Sequence, residues 1–79
     1  MMWAHPSALL HRTLKIVLNG SPKEVVDALA VDELIETLAL SHELVAVEVN
    51  GELVERVKRA EVHLSEGDAV ELVTLVGGG

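Results

Sequence analysis

Leu14-Lys15-Ile16-Val17-Leu18-Asn19-Gly20 is the stretch from which the rest of the chain can be read. Its apolar residues alternate, so Leu14, Ile16 and Leu18 share one face of a strand. Asn19-Gly20 then supplies a two-residue hairpin turn, because both central positions of such a turn require positive φ. Lys23-Glu24-Val25-Val26 reads as the returning strand. Beyond it the apolar period lengthens. Val31, Leu34, Ile35 and Leu38 fall at i, i+3, i+4 and i+7, which predicts a helix from Val31 to about Leu40 with one apolar stripe. Asp32, Glu33 and Glu36 take its wet side, the first two near the positive end of the helix dipole. No Ser, Thr or Asn precedes Val31 as an N-cap, and Asp27 would serve if the helix began earlier.

Alternation returns in Leu44 to Val49, read as a strand with Val45, Val47 and Val49 on one face and Glu48 pointing away. Asn50-Gly51 turns the chain into Glu52-Leu53-Val54. A charged stretch, Glu55-Arg56-Val57-Lys58-Arg59, leads to a short apolar segment at Val62 and Leu64 and to a turn at Ser65-Glu66-Gly67-Asp68. The last strand is expected from Ala69 to Val76, before Gly77-Gly78-Gly79. A hairpin, one helix and two or three further strands make an α+β fold of the β-grasp type, a mixed sheet of four to five strands crossed by one main helix. Its first and last strands would lie side by side and parallel in the centre, joined through the helix by a crossover. The expected division is a flexible extension over residues 1–12, a β-grasp domain over 13–76 and a flexible tail over 77–79. The extension reads either as a loose start or as a partner anchor built on Trp3.

The 79 residues suffice for one domain. With 49% hydrophobic and 24% charged residues the composition is globular and not that of a disordered chain. The absence of cysteine removes disulfides, thiolate metal sites and a cysteine nucleophile, and favours a reducing cytoplasm. A net charge of −7, from 13 acidic and 6 basic residues, argues against nucleic-acid binding and for steering toward basic protein surfaces. No apolar run approaches the roughly 20 residues of a membrane-spanning helix, so no membrane role is expected. Arg12 follows the Ala8-Leu9-Leu10 run instead of preceding it, unlike a signal peptide.

Three glycines in a row bury nothing and carry the largest unfolded-state entropy of any residue. They read either as fraying or as a side-chain-free arm that threads a terminal carboxylate into a narrow active site. A carboxylate is a poor electrophile until activated. Transfer to the α-phosphate of ATP gives an acyl adenylate that a sulfur nucleophile can attack.

The segments Lys15-Ile16-Val17-Leu18-Asn19-Gly20, Val45-Ala46-Val47-Glu48-Val49-Asn50-Gly51 and Glu66-Gly67-Asp68-Ala69-Val70-Glu71-Leu72-Val73-Thr74-Leu75-Val76-Gly77-Gly78-Gly79 together resemble the sulfur carriers of thiamine biosynthesis, the ThiS family. The resemblance runs over about residues 14–79. It implies a ubiquitin-like fold and adenylation of Gly79, with ATP, by a ubiquitin-activating-type enzyme. Sulfur from a cysteine desulfurase route would then convert the carboxylate to a thiocarboxylate and be given to thiazole synthase. The chain departs from the family pattern at Leu29-Ala30, where Thr or Ser is frequent before the helix, and at Glu55, where proline is common. Residues 1–12 have no counterpart.

Alternation in the last strand places Val70 and Leu72 inward and Glu71, Val73 and Leu75 outward, which nominates these outward residues as partner-binding. No other constellation carries chemistry. His5, His11, His42 and His63 are isolated, and His42-Glu43 lacks the second histidine of a zinc helix motif. Ser21 and Ser65 sit in turns without an evident base, and Gly67-Asp68 has no phosphate-loop spacing. The reading is therefore of a carrier with no catalytic residue, metal or cofactor of its own. The alternatives are the small subunit of molybdopterin synthase, whose approach to the terminal glycines tends to contain a proline that Leu72 to Val76 lacks, a ubiquitin-like modifier, and a non-catalytic β-grasp interaction module.

Overall fold

A computed structural model of the chain describes residues 12–75. Two Asn-Gly turns organise it. Asn19 and Gly20 have φ of 49° and 83°, and Asn50 and Gly51 have 54° and 85°, the paired positive values that a tight hairpin demands. The first turn joins β1 (Thr13–Leu18) to β2 (Ser21–Val26), and the second joins β3 (Val45–Val49) to a short β4 (Glu52–Leu53). The last strand, β5 (Ala69–Thr74), enters between the two hairpins, giving the order β2-β1-β5-β3-β4. It runs parallel to β1 and antiparallel to β3. The parallel pair at the centre, reached through the helix, is the β-grasp arrangement expected from the order of elements.

Helix α1 (Val31–Thr37) covers one face of this sheet. Val31, Leu34 and Ile35 are fully buried, and they meet Leu14 and Ile16 of β1, Val25 of β2, Val45 and Val47 of β3, and Val70 of β5 in one core. Val54 and Leu64 close its sides. The covered face is built almost wholly of branched aliphatics, which suit a half-buried pleated surface.

The helix departs from expectation at both ends. Asp27 is not its cap: the N-cap is Ala30, which has no side-chain acceptor. Instead Glu33 reaches back, its Oε1 accepting the Ala30 N–H at 2.9 Å, half of a capping box. At the other end α1 stops at Thr37, not near Leu40. Ala39 takes φ of 58°, its N–H donates to the Glu36 carbonyl, and the Leu40 N–H donates to the Ile35 carbonyl. This is the left-handed helix terminator that glycine usually occupies, here made by alanine at a steric cost. Leu40 still packs on the core, so the termination folds the chain back toward the sheet. Leu44 likewise leaves the expected strand, ending a 3₁₀ turn (His42–Leu44) just before β3.

β5 ends as a ladder at Thr74, two residues short of the expected Val76. Val76 and the tail Gly77, Gly78 and Gly79 lie outside the described residues, as does the expected extension apart from Arg12. Among the described residues no helix is long and apolar enough to cross a membrane.

Replacing Ala39 by Gly should relieve the strained terminator and stabilise the domain by about 0.5–1 kcal/mol, raising its melting temperature by roughly 2–8 °C. A calorimetric scan of the A39G variant showing a lower melting temperature would contradict this account of the helix end.

Candidate functional site

The helix covers one sheet face and leaves the other open. On the open face the register sets Glu71 of β5 directly opposite Glu48 of β3, and Val73 opposite Ala46, with Leu53 of β4 on the far side of Glu48. One residue past the ladder, Leu75 donates its N–H to the Leu44 carbonyl at 2.6 Å. Val73 is 55% exposed, Leu75 50% and Leu44 51%, so the end of the sheet at which β5 finishes is an aliphatic lip, with Leu53, 65% exposed, farther along on the edge strand. The structure thus brings the expected residues Glu71, Val73 and Leu75 together. It adds Leu44 from the turn before β3, Ala46 of β3 and Leu53 of β4, which are visible only once the register is known.

Glu48 and Glu71 make no ion pair among the described residues, whereas Lys15 and Glu24, opposed across β1 and β2, are matched in charge. Like charges directly opposed on a sheet face are unfavourable. The acidic pair therefore costs the free protein stability, and it marks that face as strongly negative beside the aliphatic lip.

Both hairpin asparagines hold β5 in place. The Asn19 N–H donates to the Val70 carbonyl, after which the chain turns away into β2 and β1 has no further rungs to offer. The Asn19 side chain supplies the next one: its Oδ1 accepts the Leu72 N–H at 2.8 Å and its Nδ2 donates to the Leu72 carbonyl at 3.3 Å. Across β5, Asn50 Oδ1 accepts the Ala69 N–H and its Nδ2 donates to Asp68 Oδ1, both at 2.9 Å. Asparagine at these positions satisfies the left-handed turn and clamps the strand that leads to the tail.

The third feature was not expected from the sequence. Arg59, read only as part of a charged stretch, is buried at 5% exposure. It donates from Nη1 to the His42 carbonyl at 2.9 Å and from Nη2 to the Val45 carbonyl at 2.7 Å. Nearby Arg56 pairs with Glu43 at 3.2 Å on the surface. The Glu43 carboxyl is held below its ordinary range, first by the Ser41 hydroxyl and then by a backbone hydrogen bond and by Arg56. Elsewhere His42 Nε2 lies 3.4 Å from Glu36, and among the described residues no three His, Asp or Glu side chains gather as a metal site would require.

The ThiS family model matches residues 16–79. The chain belongs to the ThiS family. The crystal structure of the thiamine biosynthesis protein ThiS of Geobacter metallireducens superposes with a TM-score of 0.73 at 38% identity, covering 84% of this chain and all of that one. A thiazole synthase of Paramagnetospirillum magneticum is 35% identical over 84% of this chain. This ThiS-family chain spans only 20% of that relative's length. An uncharacterized protein, ycf40, of Porphyra purpurea is 28% identical over 90% of this chain and 100% of its own. The ThiS match includes both asparagine clamps, the aliphatic lip and the glycine triplet.

Two substitutions separate these contributions. Asn19→Gly keeps the turn dihedral but removes the clamp, and should cost about 1 kcal/mol in urea denaturation, with faster amide exchange at Leu72. Glu71→Gln should instead stabilise the domain by roughly 0.2–1 kcal/mol, because it removes the repulsion from Glu48. A destabilised E71Q would show that the pair is not in conflict.

Proposed function

We propose that this chain is a sulfur carrier of thiamine biosynthesis, acting through Gly79 as its C-terminal residue. The observation that carries the reading is the aliphatic lip at Val73, Leu75 and Leu44, which lies where β5 runs on toward Gly77-Gly78-Gly79. Four residues, 76–79, follow Leu75, and at about 3.3–3.6 Å each they reach at most roughly 14 Å. Any enzyme that acts on the Gly79 carboxylate must therefore lie against this end of the sheet. An exposed apolar patch there is what such an enzyme would cover.

In this reading a Gly79 carboxylate oxygen attacks the α-phosphorus of ATP on a ubiquitin-activating-type enzyme and pyrophosphate leaves. A persulfide supplied through a cysteine desulfurase then attacks the acyl carbon and displaces AMP. A second thiol cleaves the resulting acyl disulfide, forming a disulfide with the persulfide's carrier and releasing the thiocarboxylate; free sulfide gives the thiocarboxylate directly. Thiazole synthase is the proposed acceptor of that sulfur. Membership of the ThiS family and the likeness to a protein named thiazole synthase support this assignment. The carrier contributes no catalytic side chain: Gly77 and Gly78 give the arm its slenderness, and Glu71, Val73 and Leu75 give the enzyme its hold. The acidic open face favours a basic partner surface and fast encounter at low salt. A reducing cytoplasm is the setting in which a thiocarboxylate survives.

The direct test is mass spectrometry of the C-terminal peptide after incubation with ATP, sulfide and the host's adenylating enzyme, followed by thiol alkylation. No cysteine competes for the reagent, so alkylation at Gly79 identifies the thiocarboxylate. An unmodified Gly79 would transfer the assignment to a protein modifier or an interaction module. Val73→Asp with Leu75→Asp should raise the KM for the carrier by about tenfold or more, without unfolding, because both side chains are exposed. Deleting Gly78 and Gly79 should abolish sulfur loading and leave the melting temperature unchanged.

A further inference from the structure

Arg59 sits on the helix side of the sheet, yet both of its hydrogen bonds go to the segment that forms the lip on the other side. Nη1 and Nη2 hold the carbonyls of His42 and Val45, the two ends of the turn that contains Leu44. The Leu44 carbonyl in turn accepts the N–H of Leu75, the last backbone bond of the tail-bearing strand among the described residues. The Leu44 side chain is half of the exposed aliphatic pair at that point.

This arrangement is costly. A buried guanidinium normally has a carboxylate beside it. Arg59 makes no ion pair among the described residues, and its Nε faces no acceptor. Burial, and then the neighbouring charge of Arg56, pull its pKa down. An aliphatic side chain would fill the same space without burying a charge. What it would not do is bridge two carbonyls three residues apart and so hold the turn in one shape.

We propose that Arg59 is a positioning residue: it staples the His42–Val45 turn from inside, and thereby sets both the lip against which the activating enzyme docks and the direction in which β5 delivers the tail. This rests on the carrier reading for its consequence in catalysis, but not for its consequence in structure. The Arg56–Glu43 ion pair ties the same two segments on the surface. That pair is exposed on both sides and contributes little by itself, which leaves the buried staple as the principal tie.

The test uses the full chain with Arg59→Met, of similar length but without donors, and Arg59→Lys, which keeps the charge but has only one donor group. Amide exchange at Leu75 should speed up by about tenfold or more in R59M relative to Leu72, whose amide is held independently by Asn19, with R59K intermediate. In sulfur loading by the host's adenylating enzyme with ATP and sulfide, R59M should raise KM for the carrier while kcat stays close to wild type. R59K should restore part of the KM. If R59M is too unstable to fold, the ratio of Leu75 to Leu72 exchange in R59K decides the matter alone. Equal acceleration at Leu72 and Leu75, or a lower melting temperature with unchanged KM, would reduce Arg59 to a structural residue and overturn the proposal. Wild-type protein that binds no adenylating enzyme would overturn the carrier reading instead, and the Leu75 exchange would still report on the staple.

Discussion

Leu72 is held by the side chain of Asn19 at the point where β1 has already turned away, and most of what this protein presents to its surroundings follows from that clamp. β5 arrives last in the chain but occupies the centre of the sheet, parallel to β1. A parallel neighbour can be reached only through a crossover, and the crossover places α1 on one face. The other face is left open, and β5 overshoots β1, so its end is flanked by β3 and the Leu44 turn alone. A strand that overshoots its parallel partner would fray from its unpaired edge. The asparagine supplies the missing rung at Leu72, and the Leu44 carbonyl the last bond at Leu75. Backbone hydrogen bonding along β5 is thus carried as far as Leu75.

The open face gives up stability in two ways. It exposes four large aliphatics that would be better buried, and beside them Glu48 and Glu71 stand opposed without a cation. Either feature would be removed by selection for stability alone, since polar residues at the lip and one glutamine in the pair are simple replacements. The opposed acids do not recur where β1 and β2 pair Lys15 with Glu24, although Val17 and Val26 are exposed there as well. The compact aliphatic core on the helix side offsets these costs.

The hairpins were legible in the sequence because Asn-Gly carries a steric requirement that few other pairs satisfy. The helix was legible through its stripe of Val31, Leu34 and Ile35, but its end was not: Ala39 does what glycine usually does, so no residue announced the stop. Its start was equally silent, because Glu33 caps the backbone in place of the missing Ser or Thr. The outward set Glu71, Val73 and Leu75 followed from alternation along a single strand. Leu44, Ala46 and Leu53 did not, because a patch assembled across strands depends on register. Arg59 was the furthest from view. Its five-residue neighbourhood is charged, while its partners are backbone carbonyls more than a dozen residues away that have no signature in the sequence.

The misses at Glu33 and Arg59 share a cause: each is a side chain whose partner is main chain. In the proposed carrier role the glycine tail would ask of the fold only a direction, and direction is a property of the backbone. Asn19 and Asn50 fix β5 along its length, and Arg59 fixes the turn at its end. Apart from the bond from Asn50 to the Asp68 carboxylate, all three act on carbonyls and amides, so they hold backbone geometry. This backbone role explains why polar groups were retained around β5 in a chain whose core is otherwise Val, Leu, Ile and Ala.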